Sequence, residues 1–183
     1  MKRRYMGSCV GPRFRGDRGF TLVELLIVIS IMMILVTITV TQFQTAKRKA
    51  ADVARKSDLN GVSKALLMYF ADYGKFPVAS GPGEIMIGGA ALEWGGELID
   101  GDYIYMKVLP RENKIGAPPY CYKVDDNTTP KKYALFTMLE NTTDSECHMN
   151  GEVGAYSCGN AGDVYCFAYV SPNTSLSSDG TLQ

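Results

Sequence analysis

Apolar positions along this chain fall into three regimes. From Phe20 to Val40 they are nearly continuous, and Glu24 is the one ionisable side chain in the run. About 20 consecutive apolar residues is the length an α-helix needs to cross a hydrocarbon core, so the stretch predicts a membrane span. Beyond Val40 the pattern becomes one-sided. Phe43, Ala46, Ala50 and Val53, then Leu59, Val62, Leu66, Tyr69 and Tyr73, recur at steps of three and four, while Lys47, Arg48, Asp52, Arg55, Lys56, Asp58 and Lys64 fall largely elsewhere. The helix is therefore expected to continue past the span and to stop at Gly74, with Pro77 shortly beyond. Inside it, Asp52 and Lys56 stand four apart in the order that favours pairing, and Gly61 is a weak point costing about 1 kcal/mol relative to Ala.

The third regime is punctuated. Residues 78–97 hold Gly81, Pro82, Gly83, Gly88, Gly89, Gly95 and Gly96, which predicts loop with one short helix around Ala90 to Ile99. Runs rich in Tyr, Val, Leu, Phe and Thr then predict strands at Pro119 to Val124, Lys132 to Glu140 and Val164 to Val170, each bounded by turn clusters. In the middle run, Tyr133, Leu135 and Leu139 alternate with Ala134, Phe136 and Met138. Both faces are apolar, as for a strand lying between a helix and a loop. A long helix followed by strands without βαβ alternation gives an α+β fold with a small antiparallel sheet. The tail, Ser171 to Gln183, is small and polar, which predicts a mobile or surface segment.

Length and charge narrow the class. At 183 residues with a formal net charge of zero, the chain suits one domain plus an anchor. It lacks the basic excess of a dedicated nucleic-acid binder, so no nucleic-acid partner is expected. Lys2, Arg3, Arg4, Arg13, Arg15 and Arg18 crowd the segment before the span against a lone Asp17. The positive-inside rule then places the N-terminus in the cytoplasm and exports everything after Val40; Lys47, Arg48 and Lys49 oppose this with a smaller count. A secretory signal has an apolar core of about 7–15 residues and a small-residue cleavage site; this run is longer and has no such end. Met1 and Met6 both serve as possible starts.

An acid inside hydrocarbon needs a proton or a partner, because a charge facing lipid costs roughly 3 kcal/mol. Cutting the chain after Gly19 would place the new α-amino group of Phe20 one helical turn from the Glu24 carboxylate. In a bundle of such helices the amine of one copy would meet Glu24 of another. The residues that set up this pairing, Gly19-Phe20-Thr21-Leu22-Val23-Glu24-Leu25-Leu26, resemble the prepilin signature of type IV pilins and type II secretion pseudopilins. The resemblance implies cleavage after Gly19 by a membrane prepilin peptidase/methylase and N-methylation of Phe20. It also implies assembly into a thin filament through the helix as far as about Tyr73, at an inner-membrane assembly platform, and a pilin-like head. Thr41 stands where relatives often carry Pro, and Met33 where many carry Gly.

Four segments follow: a cleaved basic leader, 1–19; a transmembrane and assembly half-helix, 20–41; an amphipathic half-helix, 42–74; and an α+β head, 75–183. The expected protein is a single-pass, membrane-anchored subunit of a type IV pilus-like filament, located in the inner membrane and then in an extracellular or periplasmic fibre. It is not an enzyme. A weaker similarity, at Tyr103-Ile104 to Leu109-Pro110, Tyr120-Cys121-Tyr122 and Tyr133-Ala134-Leu135 through Leu139-Glu140, points to the major pseudopilin, which acts as a periplasmic piston. A reading from another class is an anchored binding protein that never polymerises.

Remaining chemistry is sparse. Cys121, Cys147, Cys158 and Cys166 all lie in the exported part, where disulfides persist, and four cysteines allow three pairings. Joining Cys147 to Cys158 would staple the irregular stretch between strands, worth roughly 2–3 kcal/mol, and leave Cys121 to meet Cys166. Cys9 departs with the leader. His148, the only histidine, has neither the spacing of a zinc site nor the partners of a nucleophile; it is expected in an exposed loop, and no metal site is assigned. Asp100, Asp102, Asp125, Asp126, Asp144, Glu146 and Asp163 form no EF-hand and are expected as solvated turn acids. Calcium enters only through the resemblance, since related pseudopilins bind it in a late loop. Lys47, Arg48, Lys49, Arg55 and Lys56 are expected near anionic lipid headgroups or acids of neighbouring copies. Trp94 is expected to pack the glycine-rich loop onto the head. Asn127-Thr128-Thr129 and Asn141-Thr142-Thr143 fit the short glycosylation acceptor pattern.

Overall fold

The computed structural model describes residues 19–81, 83–151, 153–160, 162–178 and 180–183, with the side chains of 40 and 41 left aside. The leader expected at 1–19, apart from Gly19, lies outside the described residues, as does Cys9. Two units are distinguished, residues 1–43 and 44–183.

One helix, α1 (Leu22–Tyr73), begins in the first unit and ends in the second. From Leu22 to Thr39 every side chain on it is exposed. The hydroxyls in this run donate back to the helix: Ser30 to the Ile27 carbonyl, Thr37 to Ile34 and Thr39 to Leu35, each at 2.8 Å. They therefore carry no unsatisfied donor into an apolar medium. At the other end Gly74 takes a φ of 64° and donates its N–H to the Phe70 carbonyl at 2.7 Å, the left-handed stop that a glycine allows without a Cβ clash.

In the second unit α1 buries Asp52, Arg55, Leu59, Val62, Ser63, Ala65, Leu66 and Tyr69. Burying a side chain such as Leu59, Val62 or Leu66 is worth about 1.5–3 kcal/mol. Val53 and Phe43, expected on the apolar face, are both exposed. In the second unit the charged residues Asp52 and Arg55 take the inward positions and turn Val53 outward. Gly61 has a packing reason of its own. The helix runs through it unbroken, and a Cβ there would lie 3.3 Å from Met106 Cε, so its lack of a side chain lets Met106 approach.

The 78–97 stretch is not a loop with a helix. It holds β1 (Val78–Ala79), β2 (Ile85–Ile87) and β3 (Ala90–Leu92), an antiparallel meander. Gly88 and Gly89, with φ of 61° and 84°, form the β2–β3 turn; two consecutive positive φ angles suit the twist of a tight hairpin. Next come β4 (Leu98–Asp100) and β5 (Tyr103–Met106), paired antiparallel across a bulge. The expected helix at 90–99 is thus replaced by two strand segments.

The main sheet is formed by β6 (Cys121–Val124) and β7 (Tyr133–Thr137), joined after four short strands by a final one. Those four are β8 (Met149–Asn150), β9 (Val153–Gly154), β10 (Tyr156–Ser157) and β11 (Val164–Tyr165); the last is β12 (Phe167–Val170). Its order is β12-β7-β6, all antiparallel, with Leu135 opposite Tyr122 on one side and Tyr169 on the other. Every residue of β7 is buried. Tyr133 and Leu135 join Leu59, Val62, Leu66 and Tyr69 of α1 in one core, while Ala134 and Phe136 join Cys121, Tyr156, Cys158 and Tyr165 in another. The Ser63 hydroxyl meets the Tyr133 hydroxyl at 2.7 Å and pins the helix to this strand.

The tail is more ordered than its composition predicts. Leu176 bridges Leu182, and the backbones of Ser175 and Gln183 exchange hydrogen bonds. Gly180 packs against Tyr156 and Phe136, so the segment closes the second core. Gly83 is the tightest point against that core: its φ is 86°, and any Cβ would run into Cys121 Sγ. Gly83→Ala is expected to destabilise this unit by at least about 2 kcal/mol. An unchanged Tm in thermal unfolding would contradict the close approach.

Candidate processing and assembly site

At the start of α1 two side chains form a reciprocal cap. Glu24 Oε2 accepts from the Thr21 backbone N–H at 2.9 Å and from the Thr21 hydroxyl at 3.0 Å, while the Glu24 N–H donates to Thr21 Oγ1 at 3.2 Å. This is a capping box, in which Thr and a Glu three residues later satisfy donors left open by the helix end. The sequence pattern Thr21-x-x-Glu24 carries that signal, but a reading of the acid as a charge in lipid passes over it. Oε1 carries no hydrogen bond among the described residues, so the carboxylate keeps one oxygen for a further donor. Phe20 and Gly19 precede the helix, and both are exposed.

The five cations after the span separate into two sets. Lys47, Arg48 and Lys49 are exposed. Arg55 and Lys56, expected near headgroups or neighbouring copies, are instead used within the second unit. Arg55 Nε meets Glu112 Oε2 at 2.6 Å, its Nη1 meets Asp52 Oδ1 at 3.0 Å, and its Nη2 meets Glu140 Oε1 at 3.1 Å. Asp52 also accepts from the backbone N–H groups of Glu140 at 2.7 Å and Asn141 at 2.8 Å. Lys56 pairs with Asp144 at 3.0 Å and Glu146 at 2.5 Å. The expected Asp52 to Lys56 pair is thus replaced, because Asp52 lies one position nearer Arg55 and caps the chain after β7.

These contacts move the acids' pKa values. Burial pushes the Glu112 carboxyl up, but hydrogen bonds from Arg55 and from the Lys114 backbone outweigh it and hold it below the ordinary value. Glu140 behaves likewise, with burial opposed by Arg55 and Lys114. Asp144 is held down by the Glu146 N–H and then by Lys56.

The four cysteines form two disulfides, Cys121–Cys158 and Cys147–Cys166, with Cα separations of 6.2 and 4.6 Å. The pairs considered from the sequence, Cys147 with Cys158 and Cys121 with Cys166, do not form. Cys121 and Cys158 share the core on one face of β7, and Cys147 and Cys166 the core on the other; the sheet separates the alternative partners.

His148 is exposed, with Nδ1 at 3.2 Å from the Glu146 carbonyl. Trp94 packs edge-on to Tyr120 at 5.6 Å. Of the acids considered for calcium, Asp125 and Asp126 accept backbone N–H groups of the β6–β7 turn, and Asp144 and Glu146 take Lys56. Among the described residues no three His, Cys, Asp or Glu side chains gather as a metal site.

A family model described as the prokaryotic N-terminal methylation motif matches residues 14–40. The chain therefore carries a signature of type IV pilin and pseudopilin type, covering the junction and the apolar run. No curated protein and no solved structure matches the chain.

Proposed function

We propose that this chain is a filament subunit made as a precursor, cut after Gly19, N-methylated at Phe20 and polymerised through its apolar helix into a pilus-like fibre. The observation that carries the reading is the methylation motif at 14–40 leading into a helix whose apolar run from Leu22 to Thr39 is wholly exposed. Such a surface requires lipid before assembly and sister helices after it. The motif implies a prepilin peptidase, and the filament implies an inner-membrane platform to extract subunits from the bilayer. The protein is a substrate of processing enzymes rather than a catalyst, with the head exported and the N-terminus cytoplasmic before cleavage.

Processing is tested by replacing the residue before the cut. Gly19→Leu should leave the leader attached and abolish both methylation and filaments, read by intact mass and N-terminal sequencing of membrane-extracted protein. A mature chain beginning at N-methylated Phe20 from this variant would show that the cut does not depend on Gly19, and one beginning at another residue would move the cleavage site elsewhere.

A further inference from the structure

The two disulfides are interlaced along the chain. Cys121 bonds across 37 residues and Cys147 across 19, so neither bond joins cysteines adjacent in order. With the head exported, a reading on which this inference rests, the thiols leave the membrane in the order Cys121, Cys147, Cys158, Cys166. An oxidant meeting them in that order joins Cys121 to Cys147 and then Cys158 to Cys166. Chain statistics favour the same error. Those loops span 26 and 8 residues, and closure probability falls as roughly the −3/2 power of length, so the consecutive set leads the native one about sixfold before structure forms.

Local structure does not reverse that bias. The segment carrying Cys147 and Cys158 is built on β8, β9, β10 and β11, each two residues long, and pairs that short are not stable alone. Native partners come together only when both cores close around β7. Cys121 and Cys166 are then fully buried, with Cys147 and Cys158 nearly so, beyond reach of an exchanging thiol. Correction has to occur while the head is still open.

We infer that the head is a substrate of a disulfide isomerase, a thiol–disulfide exchange protein acting outside the cytoplasm. Two equivalents of an oxidant of the protein-disulfide class first take four electrons and four protons from the four thiols, each being reduced to its dithiol, and form the consecutive bonds. The isomerase thiolate attacks Cys158 Sγ, making a mixed disulfide and releasing the Cys166 thiolate. Cys166 attacks Cys147 Sγ, forming the Cys147–Cys166 bond and freeing the Cys121 thiolate. Cys121 attacks Cys158 Sγ, forming Cys121–Cys158 and returning the isomerase thiolate. Two disulfides enter and two leave, with no net transfer of electrons.

The test exports the full chain in bacterial cells with and without their periplasmic disulfide isomerase, blocks free thiols, and maps disulfide-linked peptides by mass spectrometry. Native pairs should predominate in the first strain, and the consecutive pairs should exceed them about sixfold in the second. Native pairing in equal yield without the isomerase overturns the proposal, as do four reactive thiols in both strains. The double variant Cys147→Ser, Cys166→Ser leaves only Cys121 and Cys158 in the head, and its bond should form equally in both strains; dependence on the isomerase there also overturns it. A mature Phe20 N-terminus in the same samples keeps the filament reading standing when the isomerase proposal fails, while a retained leader beside rearranged disulfides counts against the filament reading alone.

Discussion

Glu24→Ala is expected to leave the protein inserted in the membrane and cut after Gly19, yet to abolish filaments. Insertion should persist because the change removes the one charge in the apolar run. Assembly should fail because the amine of Phe20 would enter a helix-packed core without its counter-charge, and removing one partner of a buried pair costs about 3–5 kcal/mol, repeated at every subunit. The Thr21 cap complicates an alanine result, since the same substitution removes the Glu half of the capping box, leaving only the residue-24 N–H on Thr21 Oγ1. Glu24→Gln separates the two effects. A Gln can still accept from the Thr21 N–H and hydroxyl, and it completes a capping box as Glu does, but it carries no charge. Charge pairing predicts that both variants lack filaments in sheared-fibre preparations. Normal fibres from Glu24→Gln would assign the acid to the cap, and normal fibres from Glu24→Ala would remove it from assembly altogether.

Arg55→Ala is expected to destabilise the 44–183 unit by about 3 kcal/mol. One guanidinium there faces Asp52, Glu112 and Glu140, and its loss leaves three carboxylates of which, among the described residues, Glu140 keeps an ion pair, to Lys114 at 3.2 Å. Breaking a buried pair costs about 3–5 kcal/mol; the lower end applies because the Glu140 and Lys114 side chains reach solvent. The variant also changes the response to pH. Glu112 and Glu140 titrate below their ordinary value of 4.5 in the folded protein. Their contribution is therefore present above that value and is lost as pH falls through the lowered folded pKa values. Wild-type Tm should drop in acid below about pH 4.5. Without Arg55 the carboxylates repel one another, protonation relieves them, and the acid loss should shrink or reverse. A thermal-unfolding series on detergent-extracted full chain reads both effects; a wild-type Tm at neutral pH in Arg55→Ala would show that the cluster contributes little.

The isomerase proposal and the Arg55 cluster share a cause. Asp52 and Arg55 join the helix to the chain just after β7, and the disulfides join the segment beyond it to β6 and to the residue before β12. The 138–166 region has little regular structure of its own, so ionic and covalent contacts hold what short ladders cannot.

Consecutive residues were enough to identify the apolar run and the stop at Gly74, and the two apolar faces of its run placed β7 between two layers; the Thr21-x-x-Glu24 spacing carried a cap that reading the acid as a charge in lipid passed over. Each of these signals is local: hydropathy, capping and turn preference act over a few bonds and do not depend on what the rest of the chain does. Which cysteines pair, why Arg55 and Lys56 turn into the second unit while Lys47, Arg48 and Lys49 stay exposed, and why Val53 faces outward were decided only by the tertiary structure. Those outcomes depend on segments dozens of residues apart being brought to one side of β7 or the other, and no property of the separate segments carries that information.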